Sequence, residues 1–426
     1  MDGGAAVGGP LSGYRVLDLT DERGLFAGRL LADLGADVVQ VEPPTGSSAR
    51  LAAPRSATTS YTWDTFAANK RGIVADVDTD EGRHLLRRLA LHADFFVESA
   101  GPGVLTAHGL GWTELREVNP RLVYATLTAF GHDGPKAGYA ESDLVLWAAG
   151  GPLQPNRDGE RPPLRMSVEH AYLNAAADLA GGMLIAHHHR VRTGRGQLVD
   201  VSVQAALGVN TLARVLADSV CDPNPEWAAL VSPTARTDQS GSGSGTSSHL
   251  KKWVCQDGLV EFHLAMGAAV GGFTNNFFRW MHDEGACPER VAAWDWRALP
   301  ALVEAGEFDD NDMHEARALT AAFLEGKSKA EILDAAIRYR LLCIGINDTA
   351  DLAASEQLEA RGYFATVGDD DRARTMPARW AAGSVPLVEL RRPAPLLGEH
   401  TAEVVGEWLG DDRALVDSAS YGARHD

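Results

Sequence analysis

The segments "YRVLDLT", "GLFAGRLLADLG" and "ADVVQVEPP", one after another, permit few architectures. The first is short, apolar and β-rich, which predicts a strand. The second sets Leu25, Phe26, Leu30, Leu31 and Leu34 at helical spacing and closes on Gly35, a C-cap residue. The third is a strand stopped by Pro43 and Pro44. Such a strand–helix–strand unit makes parallel strands, and a parallel sheet is covered by helices.

The alternation continues along the first half. "KRGIVADV" reads as a strand, and "TDEGRHLLRRLALHA" as a helix with acids in its first turn, where they complement the dipole. "ADFFVES" and "RLVYATLTAF" are strands, with the short helix "GWTELREVN" between them. The segment from Glu169 to Ser202 reads as one long helix passing through a basic turn into the strand "GQLVDVSV". A Rossmann-like α/β domain follows.

At 426 residues the chain exceeds one ordinary core. We expect a disordered tail over residues 1–14, a large domain over 15–220 and 345–426, and a smaller α+β domain over 221–344 with a Gly/Ser-rich loop at 236–249. The smaller domain is expected to open with a hairpin around Asp257-Gly258. The tail is loop-rich and ends in an amphipathic helix that packs back on the first domain.

Lys and Arg number 39 against 58 Asp and Glu, a net charge of −19, which argues against nucleic acid. With no run of eighteen apolar residues and no signal peptide, we expect no membrane span and a cytoplasmic location. Cys221, Cys255, Cys287 and Cys343 form no CxxC and read as buried free thiols. His187, His188 and His189 point about 100° apart on a helix, so they read as helix surface, and we expect no metal.

The turn "TDERGLFAG" lacks G-x-G-x-x-G, and Asp21 and Glu22 in it would repel phosphate, so neither nicotinamide nor flavin is expected. Glu42 reads as a strand-end carboxylate. Asn69, Lys70 and Arg71 read either as a solvated loop or as a phosphate clamp. "ESAGPGVL" and "FGHDGP" are Gly-rich turns at the carboxyl edge of the sheet, where open α/β sheets bind ligands. No G-x-S-x-G appears, so a hydrolase elbow is not supported.

Several segments together resemble the class III CoA-transferases, the CaiB/BaiF or carnitine-dehydratase-like family. They include "LLADLGADVVQVEPPTG", "AANKRGIVADV", "LREVNPRLVYATLTAFGHDGP", "SDLVLWAAGG", "HHHRVRTGRGQLVDVS" and "PAPLLGEHTAEVV", in family order from Leu11 to about Val405. The wording around the long helix looks most like the succinyl-CoA:benzylsuccinate CoA-transferase branch, in which two related chains can build the enzyme. The resemblance implies two chains interlocked as rings and a large domain made from both chain ends. It also implies an acyl-CoA and a small organic or aromatic acid as substrates. Asn69, Lys70, Arg71, Ser99, Gly101 and Thr128 would lie at the CoA. Where many members carry Asn this chain has Ser99, and a basic position reads Ala107.

The family's mechanism, as the resemblance implies it, uses a helix Asp that forms an acyl anhydride and then an aspartyl-CoA thioester. That Asp stands eighteen residues before Arg190, where this chain has Tyr172. A phenol has no carbonyl on which CoA can be parked, and its ordinary pKa is about 10. Glu169 is either a substitute carboxylate or an acid complementing the helix dipole, and His170 is open in the same way. The family's racemases pair a His with the helix Asp; those positions are Ser142 and Tyr172 here, which excludes that activity.

Three readings follow. The chain is a homodimer-forming or heteromeric CoA-transferase, in the second case the subunit whose Asp-bearing paralogue supplies the nucleophile. It is a non-catalytic acyl-CoA-binding protein. Or it is a lyase or dehydratase that uses Tyr172 as an acid. The first fits the ordered segments best, and the lone chain is then not expected to exchange thioesters unaided.

Overall fold

A computed structural model describes residues 9–153, 162–209 and 252–410. The described residues form a large unit (9–153, 165–209 and 356–410) and a small unit (162–164 and 252–355).

The large unit is built on six parallel strands: β1 (Arg15–Leu19), β2 (Asp37–Glu42), β3 (Arg71–Val74), β4 (Phe95–Glu98), β5 (Val123–Thr128) and β6 (Leu198–Ser202). Their order is β3-β2-β1-β4-β5-β6, the Rossmann arrangement in which direction of travel reverses between β1 and β4. The helices relevant to the site are α1 (Leu25–Asp33), α2 (Tyr61–Phe66), α3 (Asp80–His92), α4 (Val104–Ala107), α5 (Trp112–Val118), α6 (Asp143–Gly150) and α7 (Ala171–Thr193).

Period-2 alternation assigns neighbouring residues to opposite faces of the sheet. Val16, Val38, Phe95, Val97, Val123 and Ala125 pack on one side, against Leu31 of α1 and Ala175, Leu179 and Met183 of α7. Leu17, Val39, Ile73, Phe96 and Tyr124 face the other side, against Leu85, Leu86 and Leu89 of α3. On that second face Val404, Val405 and Trp408 of the Thr401–Leu409 helix are fully enclosed, so both ends of the chain enter one core. The expected α/β class and the return of the C-terminal segment are both present.

α7 runs for 23 residues and ends where Gly194, at φ 76°, turns the chain left-handed, a conformation that favours glycine. β6 then begins four residues on.

A buried polar network locks the middle of the sheet. The Lys70 ammonium and the Asp18 carboxylate are both fully shielded from solvent and 2.8 Å apart. Lys70 Nζ also donates to the Leu25 carbonyl (2.9 Å) and to Gln40 Oε1 (2.9 Å). Gln40 Nε2 donates to the Thr20 carbonyl at 2.7 Å, and Thr20 donates its amide and hydroxyl to Asp18 Oδ1. Gly28 of α1 lies so close that an added Cβ would sit 1.9 Å from Asp18 Oδ2.

The small unit is α+β. Its antiparallel sheet joins β7 (Lys252–Cys255), β8 (Gly258–Phe262) and β9 (Cys343–Ile346) in that order. Phe277, Phe278, Trp280 and Trp296 fill its core, with Phe278 stacked on Trp296 at 5.3 Å between ring centroids. The hairpin is present, but Cys255 pairs with Gly258, so Gln256 and Asp257 form the turn. Cys255, Cys287 and Cys343 are buried free thiols, and burial with Cys255 nearby pushes the Cys343 thiol up to about 12.

Two expected boundaries change. Residues 9–14 are not a loose tail: Leu11 is buried, and its amide donates to the Leu34 carbonyl at 2.9 Å. Residues 345–355 belong to the small unit because β9 pairs antiparallel with β8. Residues 1–8, Cys221 and the Gly/Ser-rich stretch 236–249 lie outside the described residues. Among the described residues no helix is long and apolar enough to cross a membrane, and no group of three metal-ligating side chains occurs.

The network makes Lys70 a structural residue in the first instance. Lys70→Met leaves Asp18 as an unpaired buried carboxylate, which costs about 3–5 kcal/mol. Urea unfolding of the large unit should show this loss, and a change below about 1 kcal/mol would contradict the structural assignment.

Candidate active site

The carboxyl ends of β1 and β4 open a crevice at the point where strand order reverses. Open α/β sheets bind ligands there because the two flanking turns diverge to opposite faces and leave a gap. Four segments supply its polar lining. Asp21 and Arg23 follow β1; Glu98 and Ser99 end β4; Glu141 precedes α6; and Tyr172 lies in the first turn of α7.

Asp21 and Arg23 form a tight local fork. Asp21 Oδ1 accepts the Arg23 amide at 3.1 Å and Arg23 Nε at 2.9 Å, and Oδ2 accepts Nη2 at 2.6 Å. Hydrogen bonding to Asp21, with its charge, pushes the guanidinium above its ordinary pKa, so Arg23 stays cationic. Ser99 ties β4 to this fork: its hydroxyl donates to Asp21 Oδ1 at 2.9 Å and accepts the Asp21 amide at 3.1 Å. Glu98 is 2% exposed, and its Oε2 accepts the Ala100 amide at 2.7 Å. Burial raises its pKa, opposed by hydrogen bonding and by the Arg23 guanidinium.

Tyr172 is half-buried, with its ring against the core of the α7 face. Glu141 and Arg23 are the charged groups whose fields act on its phenol. Burial first, and then Glu141, push the phenol well above its ordinary pKa, so it remains a hydrogen-bond donor at neutral pH. Glu141 Oε1 lies 3.6 Å from Arg23 Nη1, which extends the chain of contacts to Ser99–Asp21–Arg23–Glu141.

The start of α7 is fixed by α6. Asp143 Oδ1 accepts the amides of His170 (3.0 Å) and Ala171 (2.9 Å), two donors that have no partner within the helix. Glu169 precedes the helix, with its side chain 70% exposed and paired to Arg165 at 3.4 Å, so it does not join the crevice cluster.

Ser99, Gly101 and Thr128 sit at the carboxyl edge. Gly101 has φ 99° and open space around it, and the buried Thr128 hydroxyl accepts the Gly131 amide at 3.0 Å. The phosphate clamp expected of Asn69, Lys70 and Arg71 is not what this geometry provides, because all three spend their donors inside the chain. Asn69 Nδ2 donates to Asp33 at 2.5 Å and to the Glu389 carbonyl at 2.7 Å. Lys70 is sealed in the central network, its pKa lowered by burial. Arg71, at the amino end of β3, binds Asp37 (2.5 Å), Glu403 (2.9 Å) and Glu407 (2.7 Å). His187 is not plain helix surface either: its ring packs edge-on against Tyr14 at 4.5 Å, and its Nδ1 pairs with Arg190 at 2.7 Å.

The sequence reading missed Arg23, Glu98 and Glu141 as site residues. Arg23 carries a local signal, an Asp two residues ahead of it that can bond its amide. Glu141 carries none, since a loop acid ahead of a helix is ordinary.

The tyrosine gives a pH test. Its folded pKa is raised above the unfolded value of about 10, so the folded state holds the proton longer. The contribution is intact below about pH 10 and is lost as pH rises above it. Wild type should therefore lose stability above about pH 10 more steeply than Tyr172→Phe, measured by denaturation midpoints at stepped pH. Parallel curves would show that the phenol is not shielded.

The family model for CoA-transferase family III matches residues 11–401. The subunit BbsE of succinyl-CoA:(R)-benzylsuccinate CoA-transferase from Thauera aromatica is 32% identical over 98% of this chain and 100% of its own length. Formyl-CoA:oxalate CoA-transferase of Streptomyces avermitilis is 30% identical over 94% of this chain and 96% of its own. In fold, a CaiB/BaiF family protein from Brucella suis superposes with a TM-score of 0.73 at 24% identity, covering 94% of this chain and 100% of that one. The chain belongs to CoA-transferase family III.

Proposed function

We propose that this chain transfers CoA between an acyl-CoA thioester and a small organic or aromatic acid as one subunit of a cytoplasmic heteromer. The Asp-bearing paralogous subunit provides the principal covalent site. One observation carries this reading: the first turn of α7 presents Tyr172 to the crevice. Moving CoA from one carboxylic acid to another without losing it to water needs a carrier that can itself become an acyl group. A phenol can accept an acyl group, but it cannot hold CoA as a thioester. The relative BbsE is itself named as a subunit, which supports a two-chain enzyme.

In this reading CoA lies along the carboxyl edge past Ser99, Gly101 and Thr128, while Asn69, Lys70 and Arg71 act from within the chain by fastening the strands that carry that edge. Interlocking of the two chains is part of the proposal. It is supported by a large unit assembled from residues 9–153, 165–209 and 356–410, between which residues of the small unit are inserted along the chain.

Co-purification with a paralogue that has Asp at the Tyr172 position tests the proposal, using succinyl-CoA as donor and benzylsuccinate as acceptor. The pair should turn over at least about 100-fold faster than this chain alone, equivalent to about 2.7 kcal/mol of barrier, and should lose that gain when the paralogue's Asp is changed to Ala. Equal rates for the lone chain and the pair would reject the subunit assignment.

A further inference from the structure

The first turn of α7 has no carboxylate, but one stands a segment away. Glu141 stands directly ahead of α6 and has a side chain 23% exposed, so it is neither sealed nor loose on the surface. The Asp143 cap sets the start of α7 beside this segment, and Glu141 is the carboxylate whose charge acts on the Tyr172 phenol. The other crevice acids are committed elsewhere. Asp21 is gripped at both oxygens by Arg23 and also takes the Ser99 hydroxyl. Asp143 caps α7, Glu98 is buried beneath the Ala100 amide, and Glu169 lies at the surface with Arg165.

Distances separate the roles further. Arg23 holds Asp21 at 2.6 Å, whereas Glu141 lies 3.6 Å away, beyond a direct hydrogen bond. Glu141 can therefore turn toward a ligand without dismantling the Asp21–Arg23 fork. Two donors remain beside it, the phenol and the guanidinium, at the place where negative charge would develop on a thioester oxygen.

We propose that Glu141 is a second nucleophilic carboxylate, which performs CoA transfer in this chain's own crevice; the proposal rests on the CoA-transferase reading above. A Glu141 oxygen attacks the thioester carbonyl of the acyl-CoA. The C–S bond breaks, an acyl–glutamyl anhydride forms, and CoA leaves as thiolate. That thiolate attacks the side-chain carbonyl of the anhydride, which releases the first acid as carboxylate and leaves a glutamyl-CoA thioester. The carboxylate of the second acid then attacks this thioester and expels CoA thiolate. The thiolate takes the new acyl group and returns Glu141 as carboxylate. No water, oxidant or metal is consumed, and no net proton is exchanged. Tyr172 and Arg23 donate to the oxyanion at each addition. The heteromer then holds two unlike sites, one built on the partner's helix carboxylate and a slower one built on Glu141.

The test uses the full chain alone with succinyl-CoA. Borohydride reduces a side-chain thioester to the alcohol, and peptide mass spectrometry locates it. Reduction should appear at Glu141, be absent in Glu141→Gln, and persist more slowly in Glu141→Asp. It should form at least about tenfold more slowly in Tyr172→Phe, which retains the carboxylate but lacks the hydroxyl donor. CoA calorimetry on wild type and Glu141→Gln runs alongside. CoA binding without reduction at Glu141, or with reduction at another carboxylate, overturns the proposal and leaves the CoA-transferase reading intact. No heat at millimolar CoA, together with no adduct, overturns both for the lone chain.

Discussion

A lysine with no access to water determines where everything else at this sheet can stand. The Lys70 ammonium has to satisfy its donors inside the protein, and it does so on Asp18, Gln40 and the Leu25 carbonyl. Those partners come from β1, β2 and the first residue of α1, so one cation fixes three elements. An unpaired buried charge is so costly that alternative strand registers or helix placements are disfavoured. Gly28 is part of the same constraint, since the helix can approach the Asp18 carboxylate only without a side chain there.

The network also aims the crevice. Asp18 and Gln40 between them hold Thr20, the last residue before the turn that carries Asp21 and Arg23. That turn emerges at the strand-order reversal, where Ser99 arrives from β4 and clasps Asp21. The chain of dependence therefore runs from buried lysine to β1 terminus to guanidinium, and from guanidinium to Glu141 and Tyr172. Arg71 and Asn69 extend the support to the C-terminal segment through Glu403, Glu407 and the Glu389 carbonyl. Three adjacent polar residues that look like a ligand clamp in the sequence thus act as fasteners between distant segments.

This explains what was legible and what was not. β1, α1 and β2 could be read because apolar periodicity reports the two faces of each element, and the structure keeps those faces: Val16 on one, Leu17 on the other. The long helix of α7 and its Gly194 stop were legible for the same local reasons. The use of Lys70 was not, because its partners lie 30 and 52 residues away and nothing local distinguishes a sealed lysine from a solvated one. Leu11 reads as tail in the sequence because Gly-rich flanks hide its burial in the core and its bond to the Leu34 carbonyl. Motif order pointed to position 172, but it carried no information about the neighbours of Tyr172. Glu141 reaches it across 31 positions by way of the Asp143 cap on α7, a contact that periodicity cannot encode.

That cap has a chemical consequence. Asp143 pins the start of α7 to α6, so the first turn of α7 stands beside the residues just ahead of α6. A short aspartate at position 172 would meet Glu141 as a second carboxylate, and two acids sharing one site resist joint ionisation. A phenol removes that conflict. It is neutral at working pH and so does not repel Glu141. Tyrosine at the helix and glutamate in the loop therefore form a self-consistent pair: the group that cannot carry CoA stabilises the one that can, and Arg23 holds both in the crevice.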